Sequence, residues 1–228
     1  MLDGKLVNFC HHAMSGSWLL TLKAAVSAIF IWGRAAGEWE SFGNSVLDEG
    51  VINRAYSHAK NDNLPIAIPG YEGRDKGQGD YGYSANRWIQ ALTVNFGFPR
   101  SRILPTAGDG FNTKTEFDDY LDLATKNGYP ITIAITQQTH ALRAMLGVVK
   151  SLQDINLERK FIVIPSWPDI FDLMTEVYGS QGQGPFPRID WIDQEYDRIE
   201  RYQAKGDLAS LEDLASYLRW MNETRPNT

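Results

Sequence analysis

The chain has 228 residues, with 28 acidic against 22 basic side chains and a net charge of -6 spread without long runs, which argues against a nucleic-acid footprint or a polybasic membrane anchor. A single cysteine, Cys10, excludes an intramolecular disulfide, and with four histidines it cannot supply a zinc ribbon or finger, so a reducing, cytoplasmic setting is expected. The length predicts one main hydrophobic core.

Residues 1–26 read as an N-terminal helical segment. Met1 to Ser17 carries Asp3 and Lys5 and no uninterrupted apolar stretch, unlike a signal peptide. Trp18 to Trp32 is apolar, but Thr21, Lys23 and Ser27 interrupt it and it is too short for a span, so no transmembrane helix is expected. Cys10, His11 and His12 are adjacent, and adjacent residues point to different sides and rarely ligate one ion; no metal site is expected.

Residues 27–178 alternate short apolar, β-rich runs with helical patterns, the rhythm of a three-layer, Rossmann-like α/β domain. Five strands are predicted: Ala28–Gly33, Pro65–Pro69, Arg102–Pro105, Ile131–Thr136 and Phe161–Pro165. The first, fourth and fifth are near-continuous apolar runs, as strands covered on both faces should be. Val46–Lys60, Tyr83–Phe96, Thr115–Asn127 and Thr139–Leu152 read as crossover helices, ending at breakers such as Gly97 and Gly128. The third strand is the shortest and most polar and is assigned to an edge, which gives the order 3-2-1-4-5 and a switch point between strands one and four, where open α/β sheets hold ligands. Residues 179–228 form a loop and a C-terminal helical extension. Ile192, Tyr196, Ile199 and Tyr202 stripe one helix, and Leu208, Leu211, Leu214 and Leu218 stripe another that Asp207 can cap. Packing back onto the body is the simpler use of both stripes, a homodimer interface the other.

Chemistry concentrates where the fourth strand runs into a helix, in Thr136-Gln-Gln-Thr-His-Ala-Leu-Arg-Ala144. A helix start offers orphan N–H groups and positive polarity. His140 and Arg143, three apart, project from one side, and the guanidinium adds a five-donor fork suited to phosphate or carboxylate. The alternative is an Arg143 paired with a neighbouring acid and a His140 that closes a loop. Upstream, Asn112, Thr113 and Thr115 precede a helix as cap residues do, with Glu116 at capping-box spacing from Thr113. In a functional reading Asn112 and Thr113 face the crevice, and Glu116 holds Arg143 or accepts a proton. The glycine-rich Gly70–Gly79 can fold over a ligand or be plain surface loop, and Gly33–Gly37 is placed as a phosphate turn.

The segment with Thr136, His140, Arg143 and Ala144 resembles the Thr and His-x-x-Arg-Ala signature of the family typified by YdcF, SanA and ElyC. Ile29–Gly33 is similar to that family's first strand and glycine, Pro69-Gly70 to the turn after its second strand, and Gly97-Phe-Pro99 to its Gly-Val-Pro. The resemblance covers residues 27–165 and departs from the pattern twice. Tyr83-Ser84-Ala-Asn86 stands where many members have Ser-Glu-Ala, and Glu116 falls one position late after Asn112-Thr113. What it implies is a nucleotide-like or S-adenosylmethionine-like ligand for soluble members and envelope maintenance for anchored ones. The expected site is therefore Gly33, Gly70, Ser84, Asn112, Thr113, Thr136 and Arg143 for ligand binding, with His140 and Glu116 as catalytic candidates. The expected function is binding or turnover of a small phosphorylated, nucleotide-like or S-adenosylmethionine-like anion, the alternative a non-catalytic sensor or scaffold whose C-terminal helices bind a partner.

Overall fold

The computed structural model describes residues 2–15, 25–32, 46–70, 85–108, 112–167, 176–177 and 186–224. The β-branched runs form five parallel strands, β1 (Ala28–Ile31), β2 (Ile66–Ile68), β3 (Ile103–Pro105), β4 (Ile131–Ile135) and β5 (Ile162–Ser166), in the order β3-β2-β1-β4-β5. The register sets Ile29 against Ile66 and Ile133, and Ile31 against Ile135. The central β1 and β2 are buried at every residue, as a sheet covered on both faces requires, while β3 at the edge buries only Ile103 of its three residues. The expected order holds, and with it the switch point between β1 and β4.

The helices are α1 (Gly4–Ser15), α2 (Val46–Asp62), α3 (Ala85–Gln90), α4 (Thr113–Asn127), α5 (Ala141–Asp154), α6 (Arg188–Ala204) and α7 (Leu211–Glu223). The chain steps outward from β1 through β2 to β3, then returns to β4 and steps the other way to β5. Right-handed crossovers accordingly lay α2 and α3 on one face and α4 and α5 on the other. Aromatic packing marks the second face: Phe30 stacks on Tyr120 with ring centroids 4.4 Å apart, and Trp32 stacks on Phe117 at 5.8 Å. The Tyr120 hydroxyl meets Thr132 on β4, so neither buried hydroxyl is stranded.

Four expectations are corrected. The helix predicted over Tyr83–Phe96 is described from Ala85 and changes to a π-helical turn over Ala91–Asn95, where the Thr93 hydroxyl bonds back to the Ile89 carbonyl at 2.7 Å and competes with the α-helical ladder. The cap of α4 is Asn112, whose side chain accepts from the N–H groups of Lys114 and Thr115 while the Thr115 hydroxyl closes the box; Thr113 is the first helical residue, so no box joins Thr113 to Glu116. The helix predicted from Thr139 begins with a 3-10 turn over Gln138–His140 before α5. Finally, Ser210 and not Asp207 caps α7, in a reciprocal box with Asp213.

Helix α7 packs back on the body. Leu208, Leu211, Leu214, Leu218 and Met221 are buried, chiefly between α1 and α5. The Tyr217 hydroxyl donates to the Phe161 carbonyl and accepts from the Val163 N–H, both at 2.9 Å, closing part of the outer edge of β5. Among the described residues, no helix is long and apolar enough to cross a membrane. Gly33, Ser84, the phosphate turn Gly33–Gly37, nine of the ten residues of Gly70–Gly79 and residues 18–24 of Trp18–Trp32 lie outside the described residues.

Candidate functional site

Three chain segments converge where β4 ends on the α4/α5 face. Thr136 follows β4 directly, and its N–H donates to the Ser166 carbonyl of β5 at 3.1 Å. The next residues make the 3-10 turn that delivers His140 to the start of α5, and Arg143 follows within the first turn. At the end of β1, the Trp32 indole N–H donates to the Thr113 carbonyl at 3.2 Å and ties the start of α4 to the switch point.

As ligand-holding residues His140 and Arg143 would stand beside a helix start open to solvent, whereas the alternative pairs Arg143 with a neighbouring acid. The structure keeps the position and reverses the exposure: His140 is 1% and Arg143 7% accessible. A buried guanidinium needs a counter-charge, since removing a lone ion from water costs several kcal/mol even after relaxation. That charge is Glu195 of α6, 3% accessible. Arg143 grips it as a fork, Nε to Oε2 at 2.6 Å and one terminal nitrogen to Oε1 at 3.3 Å. Arg198, one turn on, donates to Oε1 at 2.7 Å, and His140 Nδ1 lies 3.4 Å from Oε2. The other terminal nitrogen of Arg143 donates to the Thr113 hydroxyl at 2.8 Å, and that hydroxyl is 3.3 Å from His140 Nε2. Thr113, His140, Arg143 and Glu195 thus form one connected network from α4, α5 and α6.

Thr136 is also buried, at 3% accessible, and its hydroxyl has no hydrogen-bond partner among the described residues. A buried polar atom left unpaired costs about 1–3 kcal/mol, so an orphan at the carboxyl end of a central strand needs a reason.

No family model and no curated protein matches this chain.

The remaining predicted residues fall as follows. Asn112 is exposed and caps α4, and Glu116 lies in the first turn of α4, its N–H on the Asn112 carbonyl. Gly70 ends the β2 turn with its N–H on the Thr106 hydroxyl at 2.9 Å; a Cβ there would run into the Thr106 carbonyl oxygen, so close backbone approach to β3 accounts for the glycine. Among the described residues, no group of three or more His, Cys, Asp or Glu side chains is placed to hold a metal ion.

Sequence reasoning passed over Glu195 and Arg198. The signal was present, because Glu195 falls on the apolar stripe of Ile192, Tyr196, Ile199 and Tyr202, and a carboxylate on a core-facing stripe calls for a buried partner. A second group was missed on the opposite face. The Ser166 hydroxyl, at the end of β5, accepts from Arg54 Nε at 3.1 Å and lies 3.3 Å from His58 Nε2, both from α2. No spacing in the sequence relates Ser166 to Arg54 and His58; only the β5 position beside β4 does.

Proposed function

We propose that this chain is a small-molecule-binding α/β protein, an enzyme in kind, that takes a phosphorylated, nucleotide-like or S-adenosylmethionine-like ligand beside the carboxyl end of β4. Thr136 and Thr113 meet the ligand, and Arg143, His140 and Glu195 stand behind them. The observation that carries the reading is the buried Thr136 hydroxyl, without a hydrogen-bond partner among the described residues, at the switch point of the sheet and only a few residues along the chain from a network rich in charge-assisted hydrogen bonds. The resemblance to the YdcF, SanA and ElyC family and a cytoplasmic setting belong to the same reading. Arg143 enters it differently from the sequence expectation: its fork already holds Glu195, so it acts on the ligand through Thr113.

The test is a thermal-shift panel of nucleotides, S-adenosylmethionine and sugar phosphates on the wild type and on Thr136→Val. A ligand at a hundred times its dissociation constant stabilises by about 2.7 kcal/mol. The valine keeps the shape and removes an unpaired hydroxyl, so the unliganded variant is expected to melt at or above the wild type while losing the ligand shift. A panel without a hit, or a shift that survives in Thr136→Val, overturns the reading. The rival reading, a sensor or scaffold whose C-terminal helices dock a partner, draws no support from α7, whose apolar stripe is buried in the body of the protein.

A further inference from the structure

The network is ordered as well as connected. A carboxylate only accepts and a guanidinium only donates, which fixes the remaining protons for a neutral imidazole. A neutral His140 with its Nδ1–H toward Glu195 Oε2, 3.4 Å away, is the tautomer that suits the carboxylate, and it leaves the lone pair on Nε2. The Thr113 oxygen accepts from Arg143, so its own proton is directed at that lone pair. Hydroxyl, imidazole and carboxylate then stand in the order in which a general base activates a nucleophile and is itself oriented by an acid. Burial follows the same order: His140 and Glu195 are closed off from solvent, while Thr113 is half-buried and so the member a substrate can reach. The Trp32 indole on its carbonyl and the Asn112 cap just before it hold its backbone in place.

We infer that Thr113 is a nucleophile toward phosphoryl esters, with His140 as its general base, Glu195 as the residue that orients the imidazole, and Arg143 as the cation at the attacking oxygen. This rests on the reading above and gives its ligand a reaction. Phosphoryl transfer is favoured because a fixed guanidinium beside the attacking oxygen lies where charge spreads over the oxygens in flight. The Thr113 oxygen attacks phosphorus while His140 Nε2 takes the hydroxyl proton. The bond from phosphorus to the leaving oxygen breaks, and its electron pair accepts that proton from the imidazolium. Water then attacks phosphorus and gives a proton to Nε2, the Thr113–phosphorus bond breaks, and the threonine oxygen recovers the proton. The sum is ester plus water to phosphate plus alcohol.

The probe is an alkyl phosphonofluoridate, which forms a stable phosphorus–oxygen bond with an activated hydroxyl as fluoride leaves. It is followed by intact mass and peptide mapping on the whole 228-residue chain. A single adduct on Thr113 of the native protein is expected, retained in Thr113→Ser and absent from Thr113→Val and from heat-unfolded wild type. His140→Gln, checked for folding by circular dichroism, is expected to lower the labelling rate at least ~100-fold, the lower end of general-base contributions. No adduct on the native protein, an adduct elsewhere, or equal rates with and without His140 overturns the inference, because a network serving only to fasten α6 leaves Thr113 inert. Labelling does not depend on the ligand panel, so a ligand hit that requires Thr136 together with an unreactive Thr113 sinks this inference alone.

Discussion

Glu195 is held by three donors from two helices, and its energetics differ from those of a surface ion pair. Exposed pairs are worth ~0–1 kcal/mol, whereas removing one partner of a buried pair strands the other charge and costs about 3–5 kcal/mol. Arg143→Ala is therefore expected to destabilise the protein by about that much, read from urea unfolding, and replacing both Arg143 and Glu195 with apolar residues should cost less than the single change. A loss of ligand binding in Arg143→Ala would thus be confounded with loss of fold, which is why Thr136→Val is the cleaner probe. At Cys10, desolvation pushes the thiol up from 9.0 to about 11, with Arg219 opposing it and Glu212 adding to it. A pKa raised on folding gives stability that is complete below the unfolded value and lost as pH climbs through the folded one. Stability should accordingly fall between pH 9.0 and about 11, and less steeply in Cys10→Val, as measured by chemical unfolding across that range. At neutral pH the native thiol, 0% accessible, should resist alkylation until the chain unfolds.

At the scale of elements, α4 carries the candidate nucleophile in its first turn, so its start must be firm. The Asn112–Thr115 box satisfies two orphan N–H groups, and Gly128, left-handed at φ 69°, closes the other end. Asn112→Ala is expected to cost about 1 kcal/mol in urea unfolding, and a near-zero change would mean that the tie from Trp32 holds the turn without the cap. Helix α5 shows why periodicity alone misjudges exposure. Its residues from Ala141 to Val149 are buried without a break, Arg143 included, because α4, α7 and the sheet cover it and α6 lies over the turn at its start. An arginine on such a helix reads in sequence as a probe of solvent or ligand, and only its neighbours turn it into an interior charge.

For the whole molecule, the C-terminal helices complete the core instead of decorating it. Helix α7 fills the angle between α1 and α5 and covers part of the β5 edge through Tyr217, while α6 brings the carboxylate that balances the buried charge of Arg143 and meets His140. A chain ending at Gly206 should therefore lose cooperative unfolding and bind a hydrophobic dye, detected by circular dichroism melting and dye fluorescence. A truncated chain with wild-type cooperativity would show that α7 is an appendage. Loss of Leu214 alone, 0% accessible, falls in the range of about 2–5 kcal/mol for a buried leucine cut to alanine.

Strand positions, strand order and the switch point were legible because apolar runs such as Ile131–Ile135 and the polarity of the third strand are local properties, and right-handed crossovers leave few ways to join them. The cluster of Thr136, His140 and Arg143 was legible for the same reason: its members lie within eight residues. Asn112 was legible as a cap residue of α4, but the capping box was misassigned to Thr113 and Glu116 and the cap of α7 to Asp207, since Asn, Thr, Ser and Asp all cap and backbone geometry chooses among them. The partnership of Glu195 with Arg143, 52 residues apart, belongs to tertiary structure alone. Sequence sets which side of a helix a residue occupies, and the packing of another helix decides whether that side meets water or a carboxylate.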